Sequence, residues 1–150
     1  MKQFPILAFS GEHRFLSNFW PSPVRLLVPG EQHEPVIFPS VEHAYQAAKK
    51  PHQMRHALLL MSAGEAKRAG RKGILPAGWD ATKVEIMRGL LKEKFAPQTE
   101  LSRMLLSTGE ADIIEGNQWG DTFWGVCRGV GLNTMGRLLM ARRAELAGGN

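Results

Sequence analysis

The sequence predicts one α+β domain in which short strands come first and helices follow, and three observations carry that expectation. The 150 residues are the length of one domain, enough to bury about 68 to 70% of the unfolded surface. Residues 4–38 mix β-forming runs with turn residues, whereas beyond residue 40 apolar side chains recur at helical spacing. Neither an internal repeat nor a sustained heptad seam is present.

The strands are expected at Ile6 to Phe9, Val24 to Val28 and Val36 to Phe38, separated by Ser-Gly, Pro-Ser-Pro and Pro-Gly punctuation. Between them, FLSNFWP (Phe15 to Pro21) sets Asn18 among three aromatics. An amide flanked by rings can hydrogen-bond a base edge or sugar while the rings stack; the alternative is core packing. Ser40 is a good N-cap for the next run, VEHAYQAAKK, which stops before Pro51. At about 100° per residue, Val41, Ala44 and Ala48 share one side of that helix, and Glu42, Gln46 and Lys49 share another. A carboxylate, an amide and an amine on one face suit a polar ligand, although such residues also make an ordinary solvated face.

His52 to Met61 reads as a second helical run with Leu58, Leu59 and Met61 towards a core. His52 and His56 have a spacing that can bind zinc, but Gln53 replaces the Glu of the zincin pattern and no third ligand is evident, so no metal is expected. Ser62 and Glu65 form a capping-box pattern for a helix through Ala69. Asp80 is positioned to cap a long helix with Val84, Met87, Leu91 and Phe95 inward, closed by Pro97. A helix over Glu100 to Leu106 and a short strand at Ile113-Ile114 follow. Gly116 to Gly131 is glycine-rich, which fits a binding loop or a tight structural corner, and Thr134 is placed to cap the last helix with Leu138, Leu139 and Met140.

A content of 43% hydrophobic and 22% charged residues is globular, and no apolar run approaches the ~18 residues of a bilayer span. Without a recognisable secretion signal after Lys2, a cytoplasmic location and no membrane partner are expected. The lone Cys127 excludes an internal disulfide and reads as a buried small hydrophobe. A net charge of +5 favours anionic partners such as phosphates, nucleotides or nucleic acid. Its densest basic group, Lys67, Arg68, Arg71 and Lys72, reads as a solvated helix end.

Taken in order, Ser17-Asn18-Phe19, Pro39-Ser40-Val41-Glu42-His43 with Gln46 and Lys49, Gly70-Arg71, Trp79, Lys94-Phe95, Thr108-Gly109, Asp121 with Phe123-Trp124-Gly125, and Asn133 with Gly136 resemble the NADAR family over about residues 9 to 143. The resemblance implies a mostly helical α+β fold, a single domain over 1–150 with short N-terminal strands, that cleaves N-glycosidic bonds. The substrates it implies are a phosphorylated ribosylamino-pyrimidine of riboflavin synthesis or ADP-ribosylated guanine in nucleic acid. It further implies Glu42, Trp79 and Asp121 as active-site residues and puts Asn18, Lys49, Trp124 and Asn133 in matching motifs; the expected roles are then catalysis by Glu42, Asp121 and Lys49 and substrate binding by Asn18, Phe19, Gln46, Arg71, Trp79, Trp124, Gly125 and Asn133, with no cofactor. Two departures bear on phosphate recognition: a short Arg71 to Trp79 segment without the basic residue that often precedes the tryptophan, and Leu132 where Lys often stands.

Breaking a C–N glycosidic bond leaves positive charge at the anomeric carbon and negative charge on the base. One carboxylate can stabilise the first or activate water while a second acid protonates the leaving group, and Glu42 and Asp121 fit those tasks. Lys49 fits either nucleophilic attack through a Schiff base, once deprotonated, or a fixed charge that holds phosphate. Trp79 and Trp124 can stack on the base. The rival class is a noncatalytic nucleotide or ADP-ribose binding module; a sequence-nonspecific nucleic-acid binder would not need paired carboxylates.

Overall fold

The computed structural model describes residues 3–149, which form two compact units: residues Asn18–Lys94, and the flanking segments through Ser17 and from Phe95 onwards. Helices dominate and the strands are short, as an α+β fold with mostly helical content requires.

In the Asn18–Lys94 unit, β1 (Val24–Leu26) and β2 (Val36–Phe38) pair antiparallel with Val24 opposite Phe38 and Leu26 opposite Val36. Alternation places Val24 and Leu26 inward and leaves Arg25 outside, where its guanidinium meets Glu93 at 2.9 Å. Helix α1 (Val41–Ala48) starts at Ser40, whose hydroxyl accepts the His43 N–H. All eight of its residues are buried, so the solvated-face alternative fails for Glu42 and Gln46, while Lys49 just beyond is half-buried. A 3-10 helix (His52–Leu60), α2 (Ala63–Gly70) and α3 (Trp79–Lys94) complete this unit, with α2, α3 and the 3-10 helix all packed on α1.

The terminal unit begins with a 3-10 helix over Gly11–Leu16, whose Phe15 and Leu16 are buried. It continues with α4 (Glu100–Ser107), two parallel two-residue strands, β3 (Gly116–Asn117) and β4 (Val126–Cys127), and α5 (Thr134–Ala147), which packs on α4. No helix among the described residues is long and apolar enough to cross a membrane.

Several local expectations are corrected. Ile6 to Phe9 is not a strand: only Ile6 bridges Ile113, through Ile6 N–H to Asp112 O and Ile114 N–H to Ile6 O, both 2.8 Å. The expected strand at Ile113-Ile114 is likewise a single bridge, because neither segment has a longer partner. β1 ends at Leu26 rather than Val28. The His52 run is 3-10, and it buries Leu58 and Arg55 while Leu60 is 97% exposed. Asp80 lies inside the first turn of α3, which starts at Trp79, and Phe95 is buried just past the end of α3. Asn133, not Thr134, caps α5, in a left-handed conformation with φ 52°. Cys127 is half-buried rather than buried. The Ser62–Glu65 capping box is present, and α4 carries a second one, between Thr99 and Ser102.

Gly70 lies against Gln46 so closely that a Cβ there would occupy the position of the Gln46 amide. Gly70→Ala is therefore expected to lower stability by about 1–2 kcal/mol in urea melts, overpacking outweighing a helix-propensity gain of about 1 kcal/mol. Lys94 is 2% exposed, and burial pushes its amine down from 10.5 to about 7. Between those values the unfolded chain binds the extra proton, so stability climbs with pH at up to ~1.4 kcal/mol per unit. Lys94→Met is expected to flatten that climb, read from urea melts at pH 7.5, 8.5 and 9.5.

Candidate active site

Asn18 and Ser40 fix the start of α1. The Glu42 N–H donates to Asn18 O at 3.0 Å, and Asn18 Nδ2 reaches Met87 Sδ at 3.8 Å. Glu42 is 7% exposed, and Gln46, one turn later, donates Nε2–H to its Oε1 at 2.8 Å. Loss of water around the carboxylate raises the Glu42 pKa above the ordinary range, opposed first by the Gln46 hydrogen bond and then by the charges of Lys67 and Lys49. Two buried acceptors beside this pair, Asn18 Oδ1 and Gln46 Oε1, have no partner in the protein. Buried polar atoms in folded proteins are normally bonded, which makes this a candidate ligand-binding position.

Lys49 ends α1 as its C-cap. Burial lowers its pKa, the Glu42 charge opposes this, and Lys50, Arg71 and Lys83 add to the lowering. Its Nζ sits 5.2 Å from the Tyr45 ring centroid, and Tyr45 meets Trp79 at 5.4 Å with a 50° tilt. A cavity of about 410 Å3 opens here, lined by Lys49, Lys50, Arg55, Ile74, Pro76 and Trp79 among others. That volume suits a small-molecule ligand. Asn18, Glu42 and Gln46 are not among its walls. The structure thus sorts the candidates of this unit into a buried amide-carboxylate set and a cavity set, linked by mutual electrostatic influence between Glu42 and Lys49. Phe19 is 44% exposed with Lys67 Nζ 5.9 Å from its centroid, and Arg71 is exposed at the end of α2.

In the terminal unit the expected residues organise the glycine-rich loop. The Asp121 N–H donates to Asn117 Oδ1 at 3.0 Å, and Asp121 Oδ1 accepts the N–H groups of Phe123 and Trp124 at 3.2 and 3.0 Å. Trp124 is half-buried and meets Phe123 edge-on at 4.9 Å. Gly125 is buried, and a Cβ there would run into Glu115 O and Asn117 Nδ2. Asn133 accepts the Glu115 N–H at Oδ1 and donates Nδ2–H to Ile113 O, both at 2.9 Å. Within its own unit this segment is built as a tight corner, one of the two readings its glycines allowed.

Sequence reasoning missed Tyr45, Lys67 and Asn117. Tyr45 carries a signal, being three residues after Glu42 and four before Lys49, whereas Lys67 and Asn117 are found only by tertiary placement. Among the described residues His52 groups with Glu31 and His33 of the preceding loop, not with His56.

Comparison with known proteins follows the same lines. The NADAR domain profile matches residues 8–147. The riboflavin biosynthesis protein PYRR, chloroplastic, of Zea mays is 38% identical over 147 residues, which cover 88% of this chain but 23% of that protein. The chain therefore spans about a quarter of that relative. The N-glycosidase YbiA of Escherichia coli (strain K12) is 33% identical over 143 residues, covering 92% of this chain and 84% of that one. The NMR structure of the E. coli protein YbiA matches with a TM-score of 0.78 at 32% identity, over 98% of this chain and 88% of that one. A profile that runs through nearly the whole sequence and a solved structure of the same fold lead to one conclusion: this chain belongs to the NADAR domain family.

Proposed function

We propose that this chain is an N-glycosidase that hydrolyses the C–N bond of a phosphorylated ribosylamino-pyrimidine of the kind formed in riboflavin synthesis. The observation that carries the reading is the Glu42 carboxylate, taken out of water on a buried helix, held by Gln46 and electrostatically coupled to an amine in the wall of a ligand-sized cavity. The relatives named N-glycosidase and riboflavin biosynthesis protein support the same reaction class and pathway.

In the proposed reaction, Lys49 in its neutral form attacks the anomeric carbon, the C–N bond breaks, and the base leaves with a proton. The sugar ring opens to an imine on Nζ, and water adds to release the sugar phosphate and restore the amine. Glu42, ionised, takes the proton from the attacking amine and passes it to the departing base; ionised again, it takes a proton from the incoming water, and its negative charge stabilises the cationic carbon. Trp79, with Tyr45 packed against it, offers the base an aromatic wall, and Lys50 offers the phosphate a cation. For Asp121 the leaving-group role rests on its motif alone.

Glu42→Gln is expected to lower base release by about 100-fold or more, with thermal stability unchanged or higher, because a neutral amide replaces a desolvated carboxylate. In the unmodified enzyme, kcat falls with decreasing pH first through the Lys49 pKa, which lies below the usual lysine value near ~10.4, and again through the Glu42 pKa, which lies above the usual glutamate value near ~4.3. Chromatography of free base from a panel that includes the ribosylamino-pyrimidine and ADP-ribosylated guanine reads both effects. Binding without any base release would point instead to the noncatalytic module. Borohydride added during turnover is expected to leave a ribosyl adduct on Lys49, detected by peptide mass spectrometry; active enzyme without an adduct would reduce Lys49 to a phosphate-holding charge.

A further inference from the structure

At one edge of the cavity of the proposed reaction, whose walls include Glu31 and Arg55, the loop between β1 and β2 brings Glu31 and His33 to His52, the first residue of the 3-10 helix that follows α1. One ligating atom from each lies within 4.8 Å of the other two. The two imidazoles stack at 3.7 Å between centroids with 14° between planes. A small cavity of about 80 Å3 opens among Glu31, His33, His52 and Arg55, with Leu26 and Val36 as apolar walls.

We propose that Glu31, His33 and His52 form a site for a divalent transition metal, best suited to zinc. Two imidazoles and one carboxylate are a ligand set that zinc accepts, leaving a fourth position for water in the cavity. Ligands on zinc stand about 3.4 Å apart at bond lengths of about 2.0–2.1 Å, so a modest approach of the three groups suffices. Each lone pair lies in the plane of its ring, so ligation turns the two stacked rings until their planes intersect at the metal.

The carboxylate is held in place from behind. Arg55 is 5% exposed and grips both Glu31 oxygens, Nη1 to Oε2 at 2.6 Å and Nη2 to Oε1 at 2.8 Å. Its Nε–H is shared between Ala47 O at 3.1 Å and Lys50 O at 3.0 Å. Each carboxylate oxygen keeps a second lone pair for a metal, and a hydrogen-bonded carboxylate is the usual outer support of a metal ligand. Because Arg55 already neutralises Glu31, the site offers hard cations little charge. Affinity then rests on the imidazoles, which favours zinc over calcium and magnesium.

The test is calorimetric titration of tag-free protein with zinc chloride, with cobalt(II) absorption as a second readout. The expected result is one equivalent bound per chain, protein-dependent cobalt bands in the visible, and no binding of magnesium. His33→Ala and His52→Ala, both surface-accessible changes, are each expected to weaken zinc binding by about tenfold or more, whereas His56→Ala leaves it unchanged. Absence of saturable zinc binding and of cobalt bands in the unmodified protein overturns the proposal, as does equal affinity in the His33→Ala/His52→Ala double variant.

Discussion

Helix α1 has no solvated side, and the chemistry of the Asn18–Lys94 unit depends on that constraint. A buried helix is ordinarily apolar all round, yet this one carries Glu42, His43 and Gln46. Each polar group taken from water needs a partner. His43 finds two, Ser40 Oγ at 2.6 Å and Met61 O at 2.7 Å, and so ties the start of α1 to the end of the following 3-10 helix. Gln46 and Glu42 satisfy each other in part, in space that exists because residue 70 has no side chain. The carboxylate is left with fewer donors than water would supply, and its affinity for a proton rises accordingly.

Burial moves the acid and the amine of α1 towards each other. Glu42 is raised and Lys49 lowered, both chiefly by desolvation, while their mutual attraction works against both shifts. A carboxylate that binds a proton more readily and an amine that gives one up more readily are what general-base and nucleophilic steps near neutral pH require. Arg55 serves the same helix from its other end. By donating to Ala47 O and Lys50 O it closes the C-terminal carbonyls on either side of Lys49, and its fork holds Glu31. One buried guanidinium thus joins the end of α1 to the proposed metal site. In the terminal unit Arg142 plays a comparable structural part, donating to Phe95 O at 3.1 and 2.9 Å.

How far these features were legible depends on the range of the interaction that makes them. Ser40 and the Ser62–Glu65 box were readable because a cap is a bond between residues three apart. The β1–β2 hairpin was readable from β-forming runs bounded by turn residues. Asp80 and Thr134 looked like caps on composition, but each lies inside its helix: α3 begins at Trp79, whose ring meets Tyr45, and the cap of α5 is Asn133, whose amide is committed to Glu115 and Ile113. Arg55 gave no sign that it would be buried, since a charged residue reads as exposed until its acceptors are brought to it.

The sequence by itself determined the order of elements, the helix that carries Glu42, Gln46 and Lys49 on one face, and the family to which those motifs belong. These follow from local propensity and from residue identity at fixed spacing, which are properties of the chain before it folds. Only the tertiary structure decided that Glu42 and Gln46 on this face are dry while Lys49 lines a cavity, that Lys67 and Trp79 come to it, and that His52 meets His33 and Glu31 instead of His56. Desolvation is set by what packs against a side chain from distant segments, so the property that tunes Glu42 and Lys49 has no counterpart in the spacing of letters.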